Sequence, residues 1–481
     1  MASVNLSFKS APARALPGTR PNSNANALRK NMLLILVFLI AAACSVLPDV
    51  SRAADNLLTM ETAIAAALEN NPDIRMARIL IKKAEASVKK TEAVFWPRVT
   101  AFSELSAGDA PSAFLFKTID QRELPRDVDF NDPGSFTNTE VGIMAGISLY
   151  NGGKNRLEKQ LAQKKLADQT ALALQTENDR ISAVIQMFFT ALKAREYTII
   201  ARTSVQTVEE QLDMMMVRFR GGSVLKSDIL SLKVRLAEAK KNLVESKNTL
   251  ATTMTALATL LGHTPGHSFF LDPDPDSNCQ VIFPESIDQA WALALEKRPE
   301  LQRAKQQIDM ARTAVSLAAS GYRPRVDLQA RWYMDSDDLS YNTSKDNYTA
   351  SLNLAWDLFD GFATRARIAE ARHELERALE ARQKIRMQIY QDVKQAYLRH
   401  ENAKQRLHVA RSSVDMAKES LHIVKKRYEG GAEPITRYLE AELDRTRAGI
   451  NRAAAFYDGK MAKIEIARAV GTLSRLWTQE K

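Results

Sequence analysis

Apolar and polar residues alternate strictly in several short segments. Tyr348, Ala350, Leu352, Leu354, Trp356 and Leu358 alternate with Thr349, Ser351, Asn353, Ala355 and Asp357, which puts the apolar set on one face of an extended strand and a mainly polar set on the other. Val326, Leu328, Ala330 and Trp332 alternate in the same way with Asp327, Gln329, Arg331 and Tyr333, and Val141, Ile143, Ala145, Ile147 and Leu149 with Gly142, Met144, Gly146 and Ser148. Strands are expected at about 97–108, 139–150, 325–334 and 347–359. Strands of roughly ten residues with one apolar face fit a membrane barrel. They fit equally a small soluble sheet whose apolar face packs on helices, and alternation alone leaves both open.

The rest of the chain follows helical periods. Between Lys154 and Gly221 there is no Pro or Gly, and a helix of roughly 64 residues there would be about 100 Å long, far beyond a globular domain. Beyond Gly222, Ile229, Leu236, Leu243, Leu250 and Leu257 recur every seven residues, with Leu232, Ala239 and Leu260 on the intervening seam. That is coiled-coil spacing, so these helices pack lengthwise against other helices.

The same order of elements occurs twice. Residues 59–99 lie over 286–326 at a constant offset of 227, matching Ala63 with Ala290, Glu69 with Glu296, Pro72 with Pro299 and Pro97-Arg98-Val99 with Pro324-Arg325-Val326. The match resumes at an offset of 209: Leu149 with Leu358, Gly152 with Gly361, Gly221-Gly222 with Gly430-Gly431, and Gly262 with Gly471. The first half therefore carries 18 extra residues, in the stretch between Ser103 and Asn138, where Asp132-Pro133-Gly134 signals a turn and a plain loop is expected. Each half reads as a helix capped by Thr59 or Ser286 and interrupted by Pro, a strand pair, a very long helix, a Gly-Gly turn and a last helix. Repeats at 54–262 and 286–471 are joined by a Pro- and Asp-rich linker at 263–285, and 472–481 form a C-terminal tail.

Charge changes the picture only at the start. The formal net charge is +10, yet Lys9, Arg14, Arg20, Arg29, Lys30 and Arg52 against Asp49 supply half of it within the first 53 residues, so the folded part gives no reason to expect nucleic acid. Arg29 and Lys30 precede an apolar run from Met32 to Cys44, too short to span a bilayer, with small residues at Ala53 and Ala54. This is the pattern of an export signal over 1–53. Cys44, after three alanines, leaves lipidation open as a second outcome. If it leaves with the signal, Cys279 stands alone and no intrachain disulfide forms.

Four strands cannot close a membrane barrel, and open edges are not tolerated in hydrocarbon, so such a chain must oligomerise. The duplicated pattern resembles the TolC-type outer-membrane efflux protein family over residues 57–471. The carriers are Ala67-Leu68-Glu69-Asn70-Asn71-Pro72 and Ala294-Leu295-Glu296-Lys297-Arg298-Pro299; Trp96-Pro97 and Arg323-Pro324; Leu149-Tyr150-Asn151-Gly152-Gly153 and Leu358-Phe359-Asp360-Gly361; and Phe219-Arg220-Gly221-Gly222 and Tyr428-Glu429-Gly430-Gly431. The resemblance implies a mainly α fold with a transmembrane β-barrel portion: four strands per protomer, a homotrimer with a twelve-stranded barrel in outer-membrane lipid, and an α-helical barrel crossing the periplasm. It also implies a periplasmic adaptor (membrane fusion protein) and an inner-membrane pump as partners, with no cofactor. Phe219, Gly221, Gly222, Tyr428, Gly430 and Gly431 would then be adaptor-contact tips. Asp228, Glu433, Arg437 and Glu440 fall where the family places its periplasmic gate, although Arg437 departs from the acidic pattern.

Two other classes of function fit these residues less well. An enzyme finds little support: six His are scattered, and His263 and His267 in the linker have no further ligands beside them. A soluble periplasmic coiled-coil adaptor or scaffold would use the same long helices, but it leaves two amphipathic strand pairs unexplained.

Overall fold

The computed structural model describes residues 57–263, 269–272 and 283–473. The expected signal at 1–53 with Cys44, most of the expected linker with Cys279, and most of the tail lie outside those residues.

The two halves fold alike, for reasons visible in matched residues. Helices α1 (Met60–Asn70) and α2 (Pro72–Glu92) are separated by a single extended residue, Asn71 (φ −63°, ψ 125°). Proline disfavours helical backbone at the residue before it and is well suited to the first helical position, so one helix stops and the next starts. Asn71 Oδ1 accepts the Asp73 N–H at 2.9 Å, and its Nδ2 donates to the Leu260 carbonyl at 2.8 Å. In the second half Arg298 occupies the same place before Pro299, and its Nη1 donates to the Ala469 carbonyl at 3.2 Å. Two different side chains thus make one pseudo-symmetric contact, closing the end of the last helix of each repeat.

In each half the paired strands come next, and then the long helix. Strands β1 (Arg98–Gly108), β2 (Phe136–Asn151), β3 (Arg325–Ser336) and β4 (Asp346–Ala355) form one antiparallel meander in chain order. The central pair, β2 with β3, joins the halves. Strand β4 ends at Ala355, opposite Arg325, because Pro324 has no N–H with which to continue the ladder. Trp356 instead donates its indole N–H to the Tyr322 carbonyl at 3.0 Å. Trp356 and Leu358, expected in the strand, therefore lie in the passage to the next helix.

Between β1 and β2 the extra residues hold a helix, α3 (Pro111–Asp120), where a plain loop was expected. The long helices α4 (Lys154–Arg220) and α8 (Ala363–Glu429) each run 67 residues, about 100 Å. After each comes a turn and a returning helix, α5 (Lys226–Leu260) or α9 (Ile435–Val470). Helix α6 (Ile287–Lys297) and helix α7 (Pro299–Ala319) are the second-half counterparts of α1 and α2.

Apolar clusters mark two levels along the helices. At mid-length of α4, Ile181, Val184, Ile185, Phe188, Phe189 and Leu192 pack with Ile64 and Ala67 of α1, Leu257 of α5 and Ile464 of α9. Near the Gly-Gly turns, Val208, Met215, Ile229, Leu232, Val424, Ile435 and Tyr438 form a second cluster. The heptad seam read from α5 is buried at both ends, at Ile229 and Leu257.

Candidate functional site: a two-faced wall and two helical turns

The sheet separates its side chains by register. Paired positions place Thr100, Phe102, Glu140, Met144, Gln329, Arg331, Asp335, Ser351 and Asn353 on one face, and Val99, Ala101, Val141, Ile143, Leu328, Trp332, Tyr348, Leu352 and Leu354 on the other. A bulge between Ser148 and Tyr150 shifts the register near the end of β2, so the alternation read through Leu149 holds only to Ile147. The apolar face is not packed on the helices: Leu352 is 65 % exposed and Leu354 69 %. That removes the soluble-sheet alternative, because such a sheet would cover this face. No described helix is long and apolar enough to cross a membrane. On the polar face the Arg331 guanidinium lies over Phe102 and Tyr333, 4.4 and 4.8 Å from the ring centroids, and pairs with Glu140.

The far ends of the helices close by one backbone device, used twice. Gly222 and Gly431 take left-handed φ values of 74° and 77°. The Ser223 N–H reaches the Arg218 carbonyl at 3.0 Å and the Gly222 N–H the Phe219 carbonyl at 2.9 Å, with Ala432 to Arg427 at 2.8 Å and Gly431 to Tyr428 at 3.0 Å in the other half. These bonds satisfy the last carbonyls of α4 and α8, and in each half five residues separate the long helix from the returning one. A Cβ at either glycine would meet nothing within 4 Å, so only backbone conformation requires Gly there, and the turns stand open.

The model of the outer membrane efflux protein family matches residues 63–263 and 291–472, about four-fifths of the chain and both repeats. The chain belongs to this family. The CyaE protein of Bordetella pertussis is 25 % identical over 392 residues, 81 % of this chain and 79 % of that one. The TolC outer membrane protein of Vibrio cholerae is 24 % identical over 319 residues, 65 % and 72 % of the two chains. The Campylobacter jejuni CmeC outer membrane channel has the same fold, with a TM-score of 0.73 at 16 % identity and 86 % of each chain covered. This efflux protein is an exit channel in the outer membrane of a Gram-negative bacterium, with a long helical periplasmic part, and it is a conduit and not an enzyme.

In the efflux protein the charged residues singled out near the turns fall into three local groups. Arg437 and Glu440 pair at 3.1 Å, one turn apart on α9. Glu433 pairs with Arg427 at 3.6 Å across the turn. Asp228, which occupies the position equivalent to Arg437, accepts the Leu225 N–H at 3.4 Å and serves the start of α5, where a carboxylate complements the helix dipole. The matched aromatics differ. Phe219 is exposed, whereas Tyr428 turns inward, stacks on Tyr438 with centroids 5.5 Å apart, and donates its hydroxyl to Met215 Sδ at 2.6 Å.

Sequence reading passed over the groups beneath this surface. Tyr438 is 2 % exposed, and burial, with the Glu442 carboxylate next in effect, pushes its phenol up to about 12. Glu442 is 1 % exposed, pairs with Arg445 at 2.9 Å, and keeps Oε2 without a hydrogen-bond partner among the described residues. The signal was present as Ile435, Tyr438, Glu442 and Arg445 at helical spacing, a charged pair placed on the seam of a coiled-coil helix.

Proposed function

We propose that three copies of this chain close a single twelve-stranded barrel around a water-filled lumen, continued by their helices to a gated periplasmic entrance. The observation that carries this reading is the exposed apolar sheet face together with the unpaired outer edges of β1 and β4. In hydrocarbon every backbone N–H and C=O must be bonded, so β4 of one copy pairs with β1 of the next. Eight strands from two copies would be filled by their own side chains, whereas twelve leave room for a lumen. Exposed apolar residues on the helices, including Ile79 and Leu80 of α2, Val234 and Val244 of α5, and Leu398, Val409 and Met416 of α8, supply the lateral contacts between copies.

The polar face then lines the lumen, and the Gly-Gly turns form the periplasmic tips. Phe219, Gly221, Gly222, Gly430 and Gly431 meet a periplasmic adaptor that links the duct to an inner-membrane pump; Tyr428 supports them from inside. Arg437 and Glu440, with Asp228 and Glu433, form the charged ring of the gate. Energy comes from the pump, and the duct supplies a path and a valve. The mass of the detergent-solubilised protein, measured by native mass spectrometry, tests the assembly. Three mature chains are expected; a monomer or dimer as the membrane-extracted species overturns it.

A further inference from the structure

Helix α3 has no counterpart in the second half, and it does not project from the sheet. It lies across the polar face at the end remote from the long helices, at the level where the β3–β4 hairpin finishes. Lys117 Nζ reaches Glu140 of β2 at 2.8 Å and Asp335 of β3 at 3.3 Å, and those carboxylate side chains are only 4 % and 0 % exposed. Asn138 donates to the same Asp335 at 2.6 Å and accepts from Gln121 at 2.8 Å. At the end of α3, Asn347 of β4 donates to the Asp120 carbonyl at 3.2 Å. The helix is thus tied to three of the four strands. Burying two carboxylates is costly unless they are paired and hydrogen-bonded, and Lys117, Arg331 and Asn138 do this here. Phe116 and Ile119, one turn apart, point away from the wall and are exposed.

We propose that α3 is the size filter of the channel's outlet. This rests on the trimeric lumen proposed above. Twelve strands about 4.8 Å apart and tilted by about 40° close at a backbone radius of about 12 Å. A helix is about 10 Å across, so three copies of α3 held against the inner wall meet near the axis. Their Phe116 and Ile119 side chains surround what opening is left. Small solutes leave past this ring, and bulky ones pass only when Lys117 releases the wall.

The test places one cysteine on the lumen face below α3, Gln329→Cys in a Cys279→Ser background, and labels intact cells from outside. Gln329 lies six residues along β3 from Asp335, about 20 Å along the strand and about 15 Å deeper in a barrel tilted by about 40°. The wild-type loop is expected to let a small charged thiol reagent in while slowing a polymer-linked maleimide by at least about tenfold relative to it, a barrier difference of about 1.4 kcal/mol. Deleting residues 109–126, which leaves β1 and β2 joined by a connection as short as that of β3 and β4, is expected to abolish the difference. Lys117→Gln, which keeps α3 but removes its ion pairs, is expected to reduce it. Equal rates for both reagents with the intact loop, or a ratio unchanged by the deletion, overturn the filter. A polymer rate unmoved by Lys117→Gln overturns Lys117 as its anchor. If even the small reagent fails to label in every variant, the lumen assignment itself falls, and the filter with it.

Discussion

Leu352 and Ser351 are neighbours on β4, at one depth in the sheet and on opposite faces: Leu352 pairs with Leu328 on the apolar side and Ser351 with Gln329 on the polar side. Arginine at Leu352 would put a guanidinium among lipid tails near the middle of the strand. Such a charge costs about 2–4 kcal/mol at the bilayer midplane and much less near its edges. In the trimer proposed above, three copies would bring the loss to roughly 6–12 kcal/mol, comparable with the whole stability of an ordinary domain. Arginine at Ser351 points into water and is expected to change stability by less than about 1 kcal/mol. The assay is denaturant unfolding of each variant reconstituted in lipid vesicles, read as a shift in midpoint at constant slope. Equal losses for the two variants would refute the assignment of faces, and with it the inference that the apolar side meets lipid.

Other consequences are as direct. Arg437→Ala combined with Glu440→Ala removes one charged pair from each chain, beside its second Gly-Gly turn, and is expected to raise unitary conductance in a planar bilayer; an unchanged value removes these residues from the proposed gate. Gly262 has φ +77°, and a Cβ there would lie 2.5 Å from the Asn70 carbonyl, so Gly262→Ala pays for left-handed backbone and disturbs the Asn71–Leu260 bond, about 2–3 kcal/mol together. Gly222→Ala meets open space, and its cost is the backbone part alone, about 1–2 kcal/mol; thermal melts that rank the two the other way contradict the packing described. Tyr438, raised to about 12 from an unfolded value near 10, contributes stability that is fully present below about pH 10 and is lost as pH climbs through about 12. Spectrophotometric titration of wild type against Tyr438→Phe should show the last tyrosine to ionise missing from the variant, and no difference would mean that the phenol is not buried.

Much of this architecture is legible in residue spacing because it repeats. The offsets of 227 and 209 carry over to structure: Pro72 and Pro299 both open helices, Arg98 and Arg325 both open strands, and the 67-residue helices begin and end at matched positions. The alternation in β3 and β4 gave the two faces directly, because a strand's period of two does not depend on its neighbours. What alternation did not reveal was which face is covered, a tertiary property decided by where the helices run. The fold of α3 was hidden for a related reason. Its ten residues are too few for a helical period to stand out, and its anchors Glu140 and Asp335 come from two strands in different halves of the chain. The tips divide in the same way. Gly222 and Gly431 announce their turns by residue type, while the inward rotation of Tyr428 against Tyr438 and Met215 arises from packing among α4, α8 and α9, and nothing in the matched Phe219 foretells it.

Whether this chain forms a water-filled path through a lipid bilayer is decided by single-channel recording of the purified wild-type oligomer in a planar membrane. Discrete unitary current steps are expected from each inserted oligomer. An oligomer verified to be inserted in the bilayer that carries no current under any applied voltage would contradict that expectation.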